Sequence, residues 1–167
     1  MKTITTFVFA FLTMTTISAQ SKKELKEQEQ EENYSKTKQL VESGNYYFKA
    51  TNAQSQRGVT RDVRSDSYDL KIEGDKAEGY FIFFGQSQMP GYGGSGDGAI
   101  EFTNENITFK TEYVDEKHKI IVKFKANNDS ENYNVSLTVL SNGRSTLYIQ
   151  SDRRDSMSYN GVTTKIK

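Results

Sequence analysis

Between residues 46 and 159 the apolar residues fall at every second position, in short runs that end on turn-forming residues. A period of two marks a strand with one buried face, because successive side chains point to opposite sides of a sheet. Tyr46, Phe48 and Ala50 share one such face, as do Tyr68, Leu70 and Ile72, and then Ile100 and Phe102. The pattern resumes at Ile107, Phe109, Thr111 and Tyr113, then at Ile120, Val122, Phe124 and Ala126. Tyr133, Val135, Leu137 and Val139 follow, then Leu147 with Ile149 and Met157 with Tyr159. Turn residues separate the runs at Gly74 and Asp75, Asn104 and Glu105, Asp115 and Glu116, and the polar loop 127–131. Asn142 and Gly143 give the strongest hairpin signal, since both tolerate a positive φ. The spacing predicts an all-β, mainly antiparallel domain: a meander of about nine strands forming a barrel or a sandwich. Residues 50–68 fit the pattern poorly and are expected to hold only a short strand near 60–63.

The opposite faces of these strands carry Lys, Glu, Asn, Ser and Thr. An outer-membrane barrel needs apolar residues on the outward face, so the alternation argues against one. Tyr80, Phe81, Ile82, Phe83 and Phe84 are apolar on both faces, which predicts a strand covered on one side by the sheet partner and on the other by a helix.

That helix is expected just before the strands. Residues 21–43 are helix-favouring, with Ser21 as a possible cap and Gly44 placed to end the helix in a left-handed conformation. Only its second half has an apolar stripe, at Tyr34, Thr37, Leu40 and Val41. Residues 20–32 are therefore expected to be a charged, solvated spacer or helix, and residues 33–167 a single β domain with a short N-terminal helix. Residues 1–19 read as a secretory signal peptide. Lys2 is the positive start, residues 4–17 are uncharged and largely apolar, and Ser18 and Ala19 are the small residues preceding a cut before Gln20. The apolar run is too short to span a bilayer, so no transmembrane anchor is expected.

The sequence has no Cys, which removes lipid attachment at a first Cys, disulfides, thiolate nucleophiles and Cys-based zinc sites. It has 22 basic and 22 acidic residues, and loss of Lys2 with the leader leaves 21 against 22. A nucleic-acid binder normally carries a basic excess, so none is expected as a partner. Gly91, Tyr92, Gly93, Gly94, Ser95 and Gly96 match the spacing of a dinucleotide loop, but a strand pattern follows where a helix is required. His118 is the single histidine and reads as structural, at the start of a strand. No metal or cofactor is expected. Lys117, Lys119, Lys123 and Lys125 read as a solvated strand face that could meet an anionic surface. Tyr80, Tyr92 and Phe102 are the candidate ligand-contacting residues, grouped around the glycine-rich stretch. No catalytic residues are assigned.

Several segments together resemble the exported family known as domain of unknown function 4251. They are Val41, Glu42, Ser43, Gly44, Asn45 and Tyr46; Tyr68 to Asp75; Gly91 to Gly94 with Ile100, Glu101 and Phe102; residues 133–139 with Asn142 and Gly143; and Ser156 to Gly161. The resemblance implies an exported protein of Gram-negative bacteria, periplasmic or secreted, with a charged helix ahead of a β domain. It implies no activity. The functional expectation is a non-catalytic binding or interaction module for a small-molecule or envelope ligand. A hydrolase of envelope glycans or lipids and a structural envelope protein are the alternatives. A hydrolase would need two facing carboxylates, for which Glu73, Glu101 and Glu112 are the strand-borne candidates.

Overall fold

The structure is a computed structural model and describes residues 14–87 and 98–166. It opens with one helix, α1 (Met14–Glu42), and continues as ten strands. These are β1 (Asn45–Ser55), β2 (Thr60–Asp62), β3 (Asp69–Glu73), β4 (Lys76–Phe83), β5 (Gly98–Asn104), β6 (Lys110–Val114), β7 (Lys119–Asn127), β8 (Asn132–Leu140), β9 (Arg144–Ser151) and β10 (Met157–Lys165).

The helix runs unbroken through residues 20–32, the stretch expected to be a charged spacer or helix. Lys, Glu and Gln lose little rotamer freedom in a helix. Pairs one turn apart, Lys23 with Glu27 at 3.7 Å and Lys36 with Glu32 at 2.7 Å, add a little support. Tyr34, Thr37 and Val41 are buried and Leu40 is partly buried, as the apolar stripe required. Gly44, with φ of 64°, ends the helix and sends the chain into β1.

The sheet follows the order β5-β4-β3-β1-β10-β9-β8-β7-β6, with β2 added beside β1. Every neighbouring pair is antiparallel. Nine alternating strands leave the two ends, β5 and β6, running in the same direction. They are also consecutive in the chain, so they cannot form the hairpin expected at Asn104 and Glu105. Among the described residues, β5 pairs only with β4, and β6 only with β7. The order is that of an eight-stranded up-and-down barrel in which one wall strand is broken at residues 105–109. The sheet therefore curls without closing, and its two halves face each other across one core like a sandwich.

The break also explains why the strand expected from Ile107 starts at Lys110 instead. Asn106 takes a φ of 58° and the Ile107 N–H donates to the Asp75 carbonyl at 2.8 Å, which turns the chain out of the ladder. Ile107 and Phe109 pack on the core beneath the break, with the Phe109 ring 5.1 Å from that of Phe124.

Inside, Phe81 meets Tyr159 at 4.6 Å and Phe102 meets Tyr133 at 5.8 Å, contacts that join the two halves of the sheet. The Tyr159 hydroxyl donates to the Ile82 carbonyl at 2.7 Å, satisfying the one polar atom this ring brings into the core. The helix does not cover the outer face of β4 as expected. The segment around β2 does so: Arg61 lies over the Phe84 ring at 4.4 Å, and Tyr68 stacks on Tyr80 at 5.7 Å. The helix instead caps the end where the β6–β7 and β8–β9 turns meet. Tyr34 donates to Asp115 at 2.7 Å, and Thr37 donates to the Ser141 carbonyl at 2.9 Å.

Two outcomes follow. Gly161 sits opposite Ala50 beside the bulge in β1, and a Cβ there would lie 2.0 Å from the Lys49 carbonyl oxygen. Gly161→Ala is expected to lower the unfolding free energy by about 2–3 kcal/mol in urea denaturation. Burial first, and then the hydrogen bond to Asp115, push the Tyr34 phenol up to about 12. Its stabilising effect is therefore complete below the unfolded value of about 10 and lost as pH rises through about 12. Alkaline titration should release the helix in that window, read as protease sensitivity near residue 34, and Tyr34→Phe should abolish this pH dependence at a cost of about 1 kcal/mol.

Candidate functional site

Where the wall strand is broken, side chains take over from backbone pairing. The Asn127 N–H donates to the Asn104 side-chain oxygen at 2.9 Å, and the Asn104 amide donates back to the Asn127 side-chain oxygen at 3.0 Å. Asn128 donates to the Glu101 carbonyl at 3.0 Å and to the Tyr133 hydroxyl at 2.9 Å. These bonds fasten β5 to the end of β7.

Beneath the clamp lies a buried ion pair. Arg154 Nε donates to Glu131 Oε1 at 2.5 Å, with the Glu131 side chain fully buried and that of Arg154 nearly so. Ser151 donates to the second Glu131 oxygen at 3.1 Å, and Arg154 Nη1 donates to the Ala99 carbonyl at 2.9 Å. The guanidinium also lies 5.0 Å from the Phe83 ring centre. Burial, reinforced by Glu131, pushes the Tyr133 phenol up to about 12. The pair thus ties the loop before β8 and the end of β9 to the start of β5, across the two halves of the sheet.

Above the clamp the break opens a groove of about 690 Å³ on the outer surface. Residues 104–108 form one wall. The floor is the outer face of β7, β8 and β9, where strand register sets two rows. One runs Lys110, Lys123, Ser136 and Tyr148; the other runs Lys125, Asn134 and Gln150. Four strands at about 4.8 Å spacing make the first row about 14 Å long. Short side chains at Ser136 and Asn134 leave a trough between the lysines and Tyr148, whose ring is 43% exposed. Such a surface offers an aromatic face, amide donors and acceptors, and positive charge. That combination suits reversible binding of a polar ligand.

The structure separates the candidate residues named from the sequence. Tyr80 points outward and is 46% exposed, whereas Phe102 points into the core, in contact with Phe124 and Tyr133. The register of β4 with β5 sets Tyr80 opposite Glu101 and Phe102 opposite Gly79, so the two rings face opposite sides of the sheet. Tyr92, with the glycine-rich stretch around it, lies outside the described residues.

His118 precedes β7 in a left-handed conformation, just after a one-turn 3-10 helix (Asp115–Lys117). It bonds Gln30 at 3.1 Å and Glu31 at 2.9 Å, and the Tyr34 ring meets its edge at 5.3 Å, so it helps fasten the helix. Lys117 belongs to that turn rather than to the strand, which leaves Lys119, Lys123 and Lys125 on β7. Glu73 pairs with Lys71 at 2.7 Å, and Glu112 with Lys123 at 3.7 Å. Among the described residues, no group of three or more His, Asp or Glu could hold a metal ion, and no helix is long and apolar enough to cross a membrane.

Of the groove residues, the sequence marked Lys123 and Lys125 but not Lys110, Asn134, Tyr148 or Gln150. Cross-strand register was the missing information. The turn at 127–131 would have set Lys125 opposite Asn134, but the break hid the partner of Lys110. Removing one member of the buried pair leaves an uncompensated charge. Arg154→Met is therefore expected to cost about 3–5 kcal/mol in chemical denaturation, and the double change Glu131→Leu with Arg154→Met markedly less.

A match to the family model described as domain of unknown function (DUF4251) spans residues 28–163. No curated protein matches. Among solved structures, the crystal structure of a DUF4251 family protein from Bacteroides eggerthii DSM 20697 is similar, with a TM-score of 0.57 and 16% identity. The match covers 80% of this chain and 87% of that one, a likeness of fold alone. The chain belongs to the DUF4251 family.

Proposed function

We propose that this is an exported, non-catalytic binding module, periplasmic or secreted, whose ligand lies in the groove at the broken wall strand. The observation that carries the reading is the break itself. A barrel wall that could be continuous is instead interrupted, sealed underneath by Asn104, Asn127 and the Glu131–Arg154 pair, and left open above as a trough. Beside the gap, β7, β8 and β9 form continuous ladders, which suits a preformed site. A second aromatic platform, Tyr80 stacked on Tyr68, lies on a different flank.

A hydrolase reading would require two carboxylates facing each other across the cleft. The groove lining carries one, Glu105. Export is supported by the composition of residues 1–19.

Two experiments test the proposal. Expressed with its leader in a Gram-negative host, the protein should be recovered from the periplasm or medium with Gln20 as its first residue; recovery of an intact Met1 from the cytoplasm would refute export. In a thermal-shift screen of envelope oligosaccharides and lipids, a hundredfold excess over Kd should add about 2.7 kcal/mol to the folded state, or roughly 5–10 °C in Tm. Tyr148→Ala should remove that shift. A ligand whose shift survives Tyr148→Ala and Lys125→Gln binds elsewhere and counts against the groove.

A further inference from the structure

We infer that the groove selects an oligosaccharide carrying negative charge, with Lys110 and Lys125 supplying the selectivity; this rests on the groove being the binding site. Lys110 and Lys123 are direct cross-strand partners on the same outward face, and Lys125 follows two residues along β7. Like charges set opposite one another destabilise a sheet. Lys123 is partly offset by Glu112, 3.7 Å away across the strand pair. Among the described residues, Lys110 and Lys125 have no ion-pair partner. The lining holds three lysines against Glu105 alone, in a chain whose total charge is zero. The positive charge is thus gathered at a recess where the wall is open.

The shape and the remaining chemistry narrow the class. The Lys-bearing row crosses four strands to the exposed Tyr148 ring, so an occupant spanning it meets ammonium groups at one end and an aromatic face at the other. Asn134 and Gln150 lie alongside and can both donate to and accept from hydroxyl groups. An aromatic face with flanking amides suits the alternating apolar and hydroxylated surfaces of a sugar chain, and lysines are point charges that accept carboxylate or phosphate. The length of the row, about 14 Å across four strands, suits an oligomer rather than a single sugar.

The test is calorimetric titration of the full mature chain with trigalacturonate, a mono-phosphorylated mannotriose and neutral maltotriose, at 50 and 200 mM NaCl. One of the two charged sugars should bind at least about tenfold more tightly than maltotriose at 50 mM. That preference should shrink at 200 mM, since screening weakens exposed charge interactions; which charged sugar binds distinguishes a carboxylate from a phosphate source. Lys110→Gln with Lys125→Gln should bring the charged sugar to the affinity of the neutral one without lowering Tm, and Tyr148→Ala should weaken both. Equal binding of neutral and charged sugars, abolished by Tyr148→Ala, would overturn the charge inference while leaving the groove as the site. Sugar binding that ignores all three substitutions would overturn both. No binding of any of the three at millimolar concentration would overturn the charge inference and leave the groove to the thermal-shift screen.

Discussion

β5 and β6 follow one another in the chain, run the same way, and lie at opposite ends of the hydrogen-bonded path. Two such strands cannot pair as a hairpin, since a tight turn reverses direction. The five residues between them must therefore carry the chain past the end of one ladder and into another. That constraint fixes the rest. It opens the wall, assigns Ile107 and Phe109 to plugging the core beneath the gap, and leaves the upper part of β7 without a strand on its outer side.

An open edge invites further pairing, and a gap in a wall invites water. Polar side chains manage both here. The reciprocal Asn104–Asn127 bonds stand in for a pair of ladder bonds, and Asn128 reaches the backbone of β5. Deeper, Arg154 reaches the Ala99 carbonyl while neutralising Glu131, so the edge of β5 away from β4 is held from within. A buried pair is weak evidence for net stability, because desolvation offsets much of the attraction. Its geometry here serves position: it fixes where β5 begins relative to β8 and β9, and hence the height of the groove wall.

Much of the fold was legible in the sequence because alternation and turn chemistry are local. The strand faces of Tyr46, Phe48 and Ala50, of Ile120 to Ala126, and of Tyr133 to Val139 all read correctly, as did the turns at Gly74 and Asn142–Gly143. The apolar stripe of the helix read correctly too, though not where the helix docks. Docking depends on Asp115, His118 and Ser141, polar groups about 80 to 100 residues away, and polar partners leave no periodic trace. The break was misread for a related reason: Asn104 and Glu105 look like any hairpin turn, and only the parity of the whole strand path shows that a hairpin cannot form there. The groove inherits that blindness, since its rows exist only once register is known. Phe102 shows the opposite error, an aromatic beside a glycine-rich loop that turns out to serve the core.

The account depends on the wall being open beside the upper part of β7. Backbone groups on a strand alternate between its two neighbours, and the Asn127 N–H faces β5. The Lys125 N–H then faces the gap, two residues beyond the last β6–β7 pair at Lys110 and Lys123, while the Phe124 and Ala126 N–H groups face β8. Residue-resolved amide hydrogen exchange by NMR reads this directly. Lys125 should exchange orders of magnitude faster than Phe124 and Ala126, as an unpaired edge amide between protected neighbours. Protection of Lys125 equal to theirs would mean that the ladder continues across residues 105–109, and that the groove does not exist.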